Sequence, residues 1–261
     1  MVNGLAGRRA LVTAASRGLG FASAQALGAE GCRLAIVSSN SKAIDAAAEQ
    51  IREAGVEVIA RVADLVKAED CEGLVDWAIS ELGGLDVVVN NTSGPRLGTV
   101  RGLADDDWQE AFDLVLMSAV RITRRALPAL GVSGVGAVVN LTSIAAHLPL
   151  GSLVLSNAMR PSVIAFGKTL ASEAAPRVRV NSILTGRFET DRIREETAYR
   201  AREQGITREE VVEMSIRHIP LKRYGRPEEL AASVVFLAGD CSSFITGTTL
   251  SVDGGEYPGL F

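Results

Sequence analysis

The sequence is poor in cysteine: Cys32, Cys71 and Cys241 stand far apart, odd in number and never in a CxxC pair. That argues against a disulfide framework and a zinc site, and leaves reduced thiols in a cytoplasmic protein without metal as the expectation. A dominant charge is missing too. The formal net charge of −4 gives no electrostatic reason to expect nucleic acid or an anionic membrane as partner, so a small-molecule substrate is expected instead. The chain opens without an apolar run suited to a signal peptide, and no later stretch reaches the roughly 18 apolar residues of a membrane span, so the cytosol is the expected compartment. Nor does a Pro/Gly/Ser-rich linker divide it, and 261 residues read as one domain. What the chain does have is apolar material, 47% against 22% charged, enough for a sizeable core.

Short β-branched or aliphatic runs recur at 9–13, 33–37, 56–61, 85–90, 137–142, 178–183 and 248–252. Between them, 3.6-residue periodicity predicts helices over 18–30, 41–54, 67–82, 105–130, 153–174 and 227–239. Repeated βαβ units of this kind predict an α/β fold: a three-layer, doubly wound parallel sheet of the Rossmann type. Pro161, inside a helical pattern, predicts a kink near Arg160. Residues 187–217 are densely charged and helical in pattern, and an insertion after the sixth strand would lie over the carboxyl edge of the sheet. They are the candidate substrate lid.

After the first strand, Thr13-Ala14-Ala15-Ser16-Arg17-Gly18-Leu19-Gly20 opens directly into a helix. A glycine-rich turn there lets main-chain N–H groups approach a pyrophosphate, while the helix N-terminus adds partial positive charge. The second strand ends in Ser38-Ser39-Asn40. An acidic residue at that point would accept from a ribose 2′-hydroxyl and repel a 2′-phosphate. With none present, and with Arg17 as a charge-assisted partner, NADP(H) is expected in preference to NAD(H).

These residues resemble the short-chain dehydrogenase/reductase family, whose turn reads TGxxxGxG; Ala14 stands at its first glycine. The likeness covers nearly the whole chain and is similar to the β-ketoacyl-ACP reductase-like branch. Asp64-Leu65 looks like the family's adenine contact and Asn90-Asn91-Thr92-Ser93-Gly94 like its NNAG motif. Asn140-Leu141-Thr142-Ser143 resembles its catalytic-serine strand, and Thr185-Gly186-Arg187-Phe188-Glu189-Thr190 its PGxxxT. The resemblance implies cofactor contacts at Thr13, Ser16, Arg17, Gly18, Leu19, Gly20, Ser38, Ser39, Asn40, Asp64, Leu65, Asn91, Thr92, Arg160, Gly186, Phe188 and Thr190. It also implies a homodimer or homotetramer packed through the helices at 105–130 and 153–174. Leu114, Leu116, Val154 and Ile164 suit burial there or within one subunit.

The family's catalytic set is largely replaced. Alignment on Lys168-Thr169-Leu170-Ala171 puts Ser156 at the position of its Tyr and Arg160 at that of the Lys four residues later. Ser143 lies 13 residues before Ser156, the family's common Ser–Tyr separation, and the Asn position is Val115. Ser143, Ser156 and Arg160 are therefore the catalytic candidates. A phenol titrates near about 10 and can be tuned downward, whereas an aliphatic hydroxyl is a far weaker acid. Arg160 stays protonated, but its fixed cation can hold a ribose hydroxyl or stabilise an alkoxide.

Other donors are His147, a turn beyond Ser143, and Tyr199 in the candidate lid, while Tyr224 is expected to be packing. Arg187, Arg192 and Arg194 either bind an acidic substrate or make solvated ion pairs with Glu189, Asp191 and Glu195. Three readings follow: an NADP(H)-dependent oxidoreductase with an atypical proton donor, a non-redox lyase, dehydratase or isomerase on the same scaffold, and a catalytically silent dinucleotide-binding protein.

Overall fold

A strand covered by helices on both sides must be apolar at every position, and the strands here sort their residues by parity. In the computed structural model, which describes residues 3–132 and 134–260, Ala10 and Val12 of β1 (Arg9–Val12) enter one core while Leu11 enters the other. The same division separates Leu34 and Ile36 from Ala35 and Val37 in β2 (Arg33–Ser38), and Val87 and Val89 from Val88 in β4 (Val87–Asn90). The first core lies under α1 (Gly18–Ala29), α2 (Ser41–Glu53) and α9 (Pro227–Ala238), through Leu27, Ile44, Ile51 and Leu230. The second lies under α3 (Ala68–Leu82), α5 (Ser118–Leu130) and α6 (Val154–Ala174), through Leu74, Ile122 and Leu170. Each such side chain contributes on the order of 1.5–3 kcal/mol by burial. These two layers and the sheet between them make one three-layer domain.

Seven parallel strands run in the order β3-β2-β1-β4-β5-β6-β7, with β3 at Val58–Val62, β5 at Gly136–Leu141, β6 at Val178–Thr185 and β7 at Thr249–Val252. The direction of winding reverses between β1 and β4, so the crevice beyond their carboxyl ends is where a ligand of such a sheet sits. All seven expected strands are present, with shifts of one or two residues at most ends.

One helix departs from expectation. The segment 105–130 is not one α-helix: α4 (Asp105–Ala111) passes into a π-helical stretch, Phe112–Met117, before α5 resumes. The stretch buries Val115 against Val163, with Leu114, Leu116 and Met159 around it. α6 carries Pro161 within an uninterrupted run of 21 residues. One lost N–H bond is outweighed by a buried face carrying Leu155, Val163, Leu170 and Ala171. The charged segment folds as two helices, α7 (Asp191–Gln204) and α8 (Arg208–Arg217), the latter closed by a Thr207–Glu210 capping box. Among the described residues no helix is long and apolar enough to cross a membrane.

Candidate active site

The glycine-rich turn is anchored from both sides. Thr13 Oγ1 donates to Asn91 O at 2.7 Å and accepts from Asn91 N at 2.9 Å, while Asn91 Nδ2 donates to Ala14 O at 3.2 Å. Ser16 and Ser38 share a hydroxyl hydrogen bond of 2.9 Å, tying the turn to the end of β2. Ala14 takes a left-handed φ of 46°, a conformation that costs a residue with a Cβ about 1–2 kcal/mol. Gly18 has φ 58° and faces the Thr190 side chain, so α7's entry lies directly over the turn. At Gly20 an added Cβ would strike the Ala14 carbonyl and come within 2.6 Å of Asn91 Nδ2. Leu19 packs on the first core.

This cradle fits a dinucleotide pyrophosphate. Arg17, the N-cap residue of α1, makes no side-chain cap, and the first turn carries no acid, so its amides suit an anion from outside. Arg17 itself is exposed and leans on α7, with Nη1 3.4 Å from Asp191 and Nη2 4.0 Å from Glu195. Beyond β2, Ser38 is buried, Ser39 is exposed, and the Asn40 side chain is already used in accepting from Ala43 N to cap α2. Asp64 is likewise engaged, accepting from Val66 N at 3.1 Å, with buried Leu65 beside it. Gly186 packs against Asp253, Phe188 is buried and bridges to Gly225, and Thr190 caps α7 by accepting from Ile193 N.

Among the catalytic candidates, Ser143 is half-buried where β5 ends, its hydroxyl accepting from Ala145 N at 3.1 Å. Ser156 and Arg160 lie four residues apart on α6, hence on one face, and both are buried. Arg160 donates to Leu141 O at 2.8 Å and to Thr92 Oγ1 at 3.3 Å, joining the ends of β4 and β5 to α6; its Nε has no partner. It meets no carboxylate among the described residues. Burial first, and then the charge of Arg192, pull its pKa down to about 10, still high enough to keep it cationic at neutral pH. Val115 is sealed in the π-helical stretch, and its side chain offers no polar atom. His147 is half-buried, its Nδ1 buried and unbonded, its ring edge-on to Tyr257 at 5.2 Å. Tyr199 is half-buried on α7. Tyr224 is buried with an unpartnered hydroxyl, in keeping with a packing residue.

The expectation of solvated pairs holds for Arg194, which meets half-exposed Asp191, and fails for Arg187. Arg187 is buried between Glu196, at 2.9 Å, and Glu256, at 3.0 Å, rather than paired with Glu189. Arg192 does approach Glu195, at 3.6 Å, but it also donates to Pro95 O at 2.8 Å and lays its guanidinium on Gly94. Sequence reasoning had no means of finding Glu196 and Glu256, because their shared partner is set by tertiary packing across as many as 69 residues. Burial pushes the Cys32 and Cys71 thiols up to about 12, away from a reactive thiolate. Among the described residues, no group of three or more His, Cys, Asp or Glu is placed to hold a metal.

The geometry can be set beside known proteins. The family model described as "Enoyl-(Acyl carrier protein) reductase" matches residues 13–256. Human "Dehydrogenase/reductase SDR family member 4" is 33% identical over 253 residues, covering 96% of this chain and 88% of that protein. A 3-oxoacyl-[acyl-carrier-protein] reductase of Synechocystis is 34% identical over 249 residues, covering 94% and 95%. Among solved structures, L-sorbose reductase from Gluconobacter frateurii complexed with NADPH and L-sorbose superposes with a TM-score of 0.94 at 31% identity, over 100% of both chains. An NAD+-bound xylitol dehydrogenase superposes with a TM-score of 0.91 at 27% identity, covering 96% and 99%. With kinship of this strength spanning the turn, the sheet and the charged helices together, the chain belongs to the short-chain dehydrogenase/reductase family of oxidoreductases.

Proposed function

We propose that this protein is an NADP(H)-dependent oxidoreductase that interconverts a carbonyl and an alcohol using a non-standard proton donor. The observation that carries it is the pyrophosphate cradle: uncapped α1 amides, Gly18 in the left-handed region, and Gly20 where no Cβ fits. The choice of NADP(H) rests on the absence of a carboxylate at Ser38-Ser39-Asn40 and on Arg17. Arg17's pairs with Asp191 and Glu195 are exposed and long, each worth about 0–1 kcal/mol, so exchange for a 2′-phosphate costs little. Thr13, Ser16, Leu19, Asn91 and Thr92 shape the cradle, Asp64 and Leu65 flank the adenine, and Gly186, Phe188 and Thr190 close over the nicotinamide end. Residues 187–217 act as the substrate lid.

Bound NADPH supplies the hydride received by the carbonyl carbon. The chain's own part is to manage the oxygen. Ser143 donates a hydrogen bond to it, and Arg160 holds a fixed positive charge against the developing alkoxide. The proton that completes the alcohol passes from water through the hydroxyl of Ser143 or Ser156, neither of which is acidic enough to be its source. Losing a tuned acid costs about 10²–10⁴-fold in rate, so slow turnover is expected rather than none.

The test is decay of NADPH absorbance with a panel of ketones, alongside calorimetry with NADPH and NADH. Expected is binding of NADPH at least about tenfold tighter than NADH, a difference one charge-assisted contact supplies, together with turnover of some carbonyl. Tight NADPH binding with no turnover would instead support the silent binding protein, a reading favoured by Val115, Ser156 and Arg160 standing where the family has Asn, Tyr and Lys. An S156Y/R160K variant that becomes a reductase while the wild type stays inert would decide for that second reading. Product formed without nicotinamide turnover would mark a lyase, dehydratase or isomerase.

A further inference from the structure

Two guanidinium groups close on one short loop. Arg160 donates to Thr92 Oγ1 at 3.3 Å from below, and Arg192 of α7 donates to Pro95 O at 2.8 Å across it. A Cβ at Gly94 would stand 2.5 Å from Arg192 Nε, so the glycine is what lets this arginine lie flat on the loop. The two charges are near enough for Arg192 to disfavour protonation of Arg160. Negative charge to balance them is short. Arg160 is 7% exposed, has a buried Nε without a partner and meets no carboxylate among the described residues. Two arginines of α7 and Arg17 at the start of α1 share two solvent-facing acids of α7: Arg194 and Arg17 use Asp191, while Arg17 and Arg192 use Glu195, at 4.0 and 3.6 Å. Those solvent-screened contacts do not neutralise a buried cation.

We propose that the substrate is a carbonyl compound bearing a carboxylate, which Arg192 receives at the mouth of the site within the field of Arg160. The planar fork of Arg192 matches a carboxylate in two-point fashion. Its side chain is about one-third exposed, at 34%, open to an arriving ligand yet aimed by Pro95 and Gly94. The inference rests on the redox reading for the identity of the reacting group, but not for the anion subsite itself.

Acetoacetate and levulinate, each against its methyl ester, test it in two ways. One is NADPH-dependent turnover. The other is calorimetric binding to the NADP+-loaded protein, where no hydride is available and only recognition is measured. Expected is an acid-over-ester preference of about ten- to a hundredfold, the range of a hydrogen bond to a charged group, which R192Q collapses and R192K partly restores. Equal handling of acid and ester by the wild type overturns the inference while leaving the redox reading intact. An R192Q variant that weakens NADPH binding but keeps the acid-over-ester ratio also overturns it, because Arg192 then serves the cofactor's phosphates. Acid-selective binding that depends on Arg192, with no turnover of any carbonyl, upholds the subsite and removes the redox reading.

Discussion

Two buried arginines at the same edge of the sheet have opposite surroundings. Arg187, just past β6, sits between the carboxylates of Glu196 and Glu256. Burial acts to lower its pKa, but the two acids overcome that and hold it above the ordinary arginine value. Arg160, on α6, has only the Leu141 carbonyl and the Thr92 hydroxyl, and burial together with Arg192 draws it down to about 10. Burial this close, with the Arg187 side chain 9% exposed and Arg160 7%, thus produces cement in one place and unspent charge in the other. Arg187 locks α7 and the chain's last turns to β6, whereas Arg160 presents a cation that only a ligand can balance.

The contrast is open to measurement. The largest effect is expected for Arg187→Met, which leaves Glu256 buried without its cation and Glu196 with only the more distant Arg200, at 3.9 Å, and should cost about 3–5 kcal/mol of stability, read from the denaturant midpoint at unchanged m-value. Combining it with Glu196→Gln and Glu256→Gln should recover most of the loss; failure to recover would mean that packing, not charge, sets the cost. For Arg160→Met the order reverses. Stability should move by no more than about 1 kcal/mol, since relief of desolvation offsets two hydrogen bonds, while kcat/KM falls about 10²-fold through loss of alkoxide stabilisation. If Arg160→Met unfolds the protein as Arg187→Met does, the distinction between them is wrong.

A third arginine, in open water, gives the smallest effect. Hydrogen bonding from Arg223 first, then from the Arg226 backbone, lowers the pKa of Glu229 from 4.5 to about 2. A depressed carboxylate stabilises the fold above its unfolded value and loses that contribution as pH falls through the folded one. The stability difference between wild type and Glu229→Gln should therefore be full above pH 4.5 and fade by about pH 2, as followed by acid titration of circular dichroism. A difference that stays constant across that window would remove Glu229 as its source.

Much of the fold was legible because burial on both faces writes a short continuous apolar run directly into residues such as 87–89 and 137–139. The cradle was legible for a similar reason: its function lies in main-chain amides, and only the placement of Gly18 and Gly20 between strand and helix had to be read. The π-helical stretch at Phe112–Met117 escaped, since one extra residue per turn leaves the apolar pattern of 105–130 intact. For Arg192 the sequence left open an acidic substrate or a solvated ion pair; its bond to Pro95 spans 97 positions and has no local signature.

Sequence alone determined the layers, the family, and the placement of Gly18 and Gly20 in the turn between the first strand and its helix, because these are properties of residue type and spacing. Which arginine is neutralised and which is left charged was decided only by the tertiary structure. Charge balance depends on distance and dielectric at separations of a few ångströms, and the chain order of Glu196, Glu256, Thr92 and Arg192 carries neither.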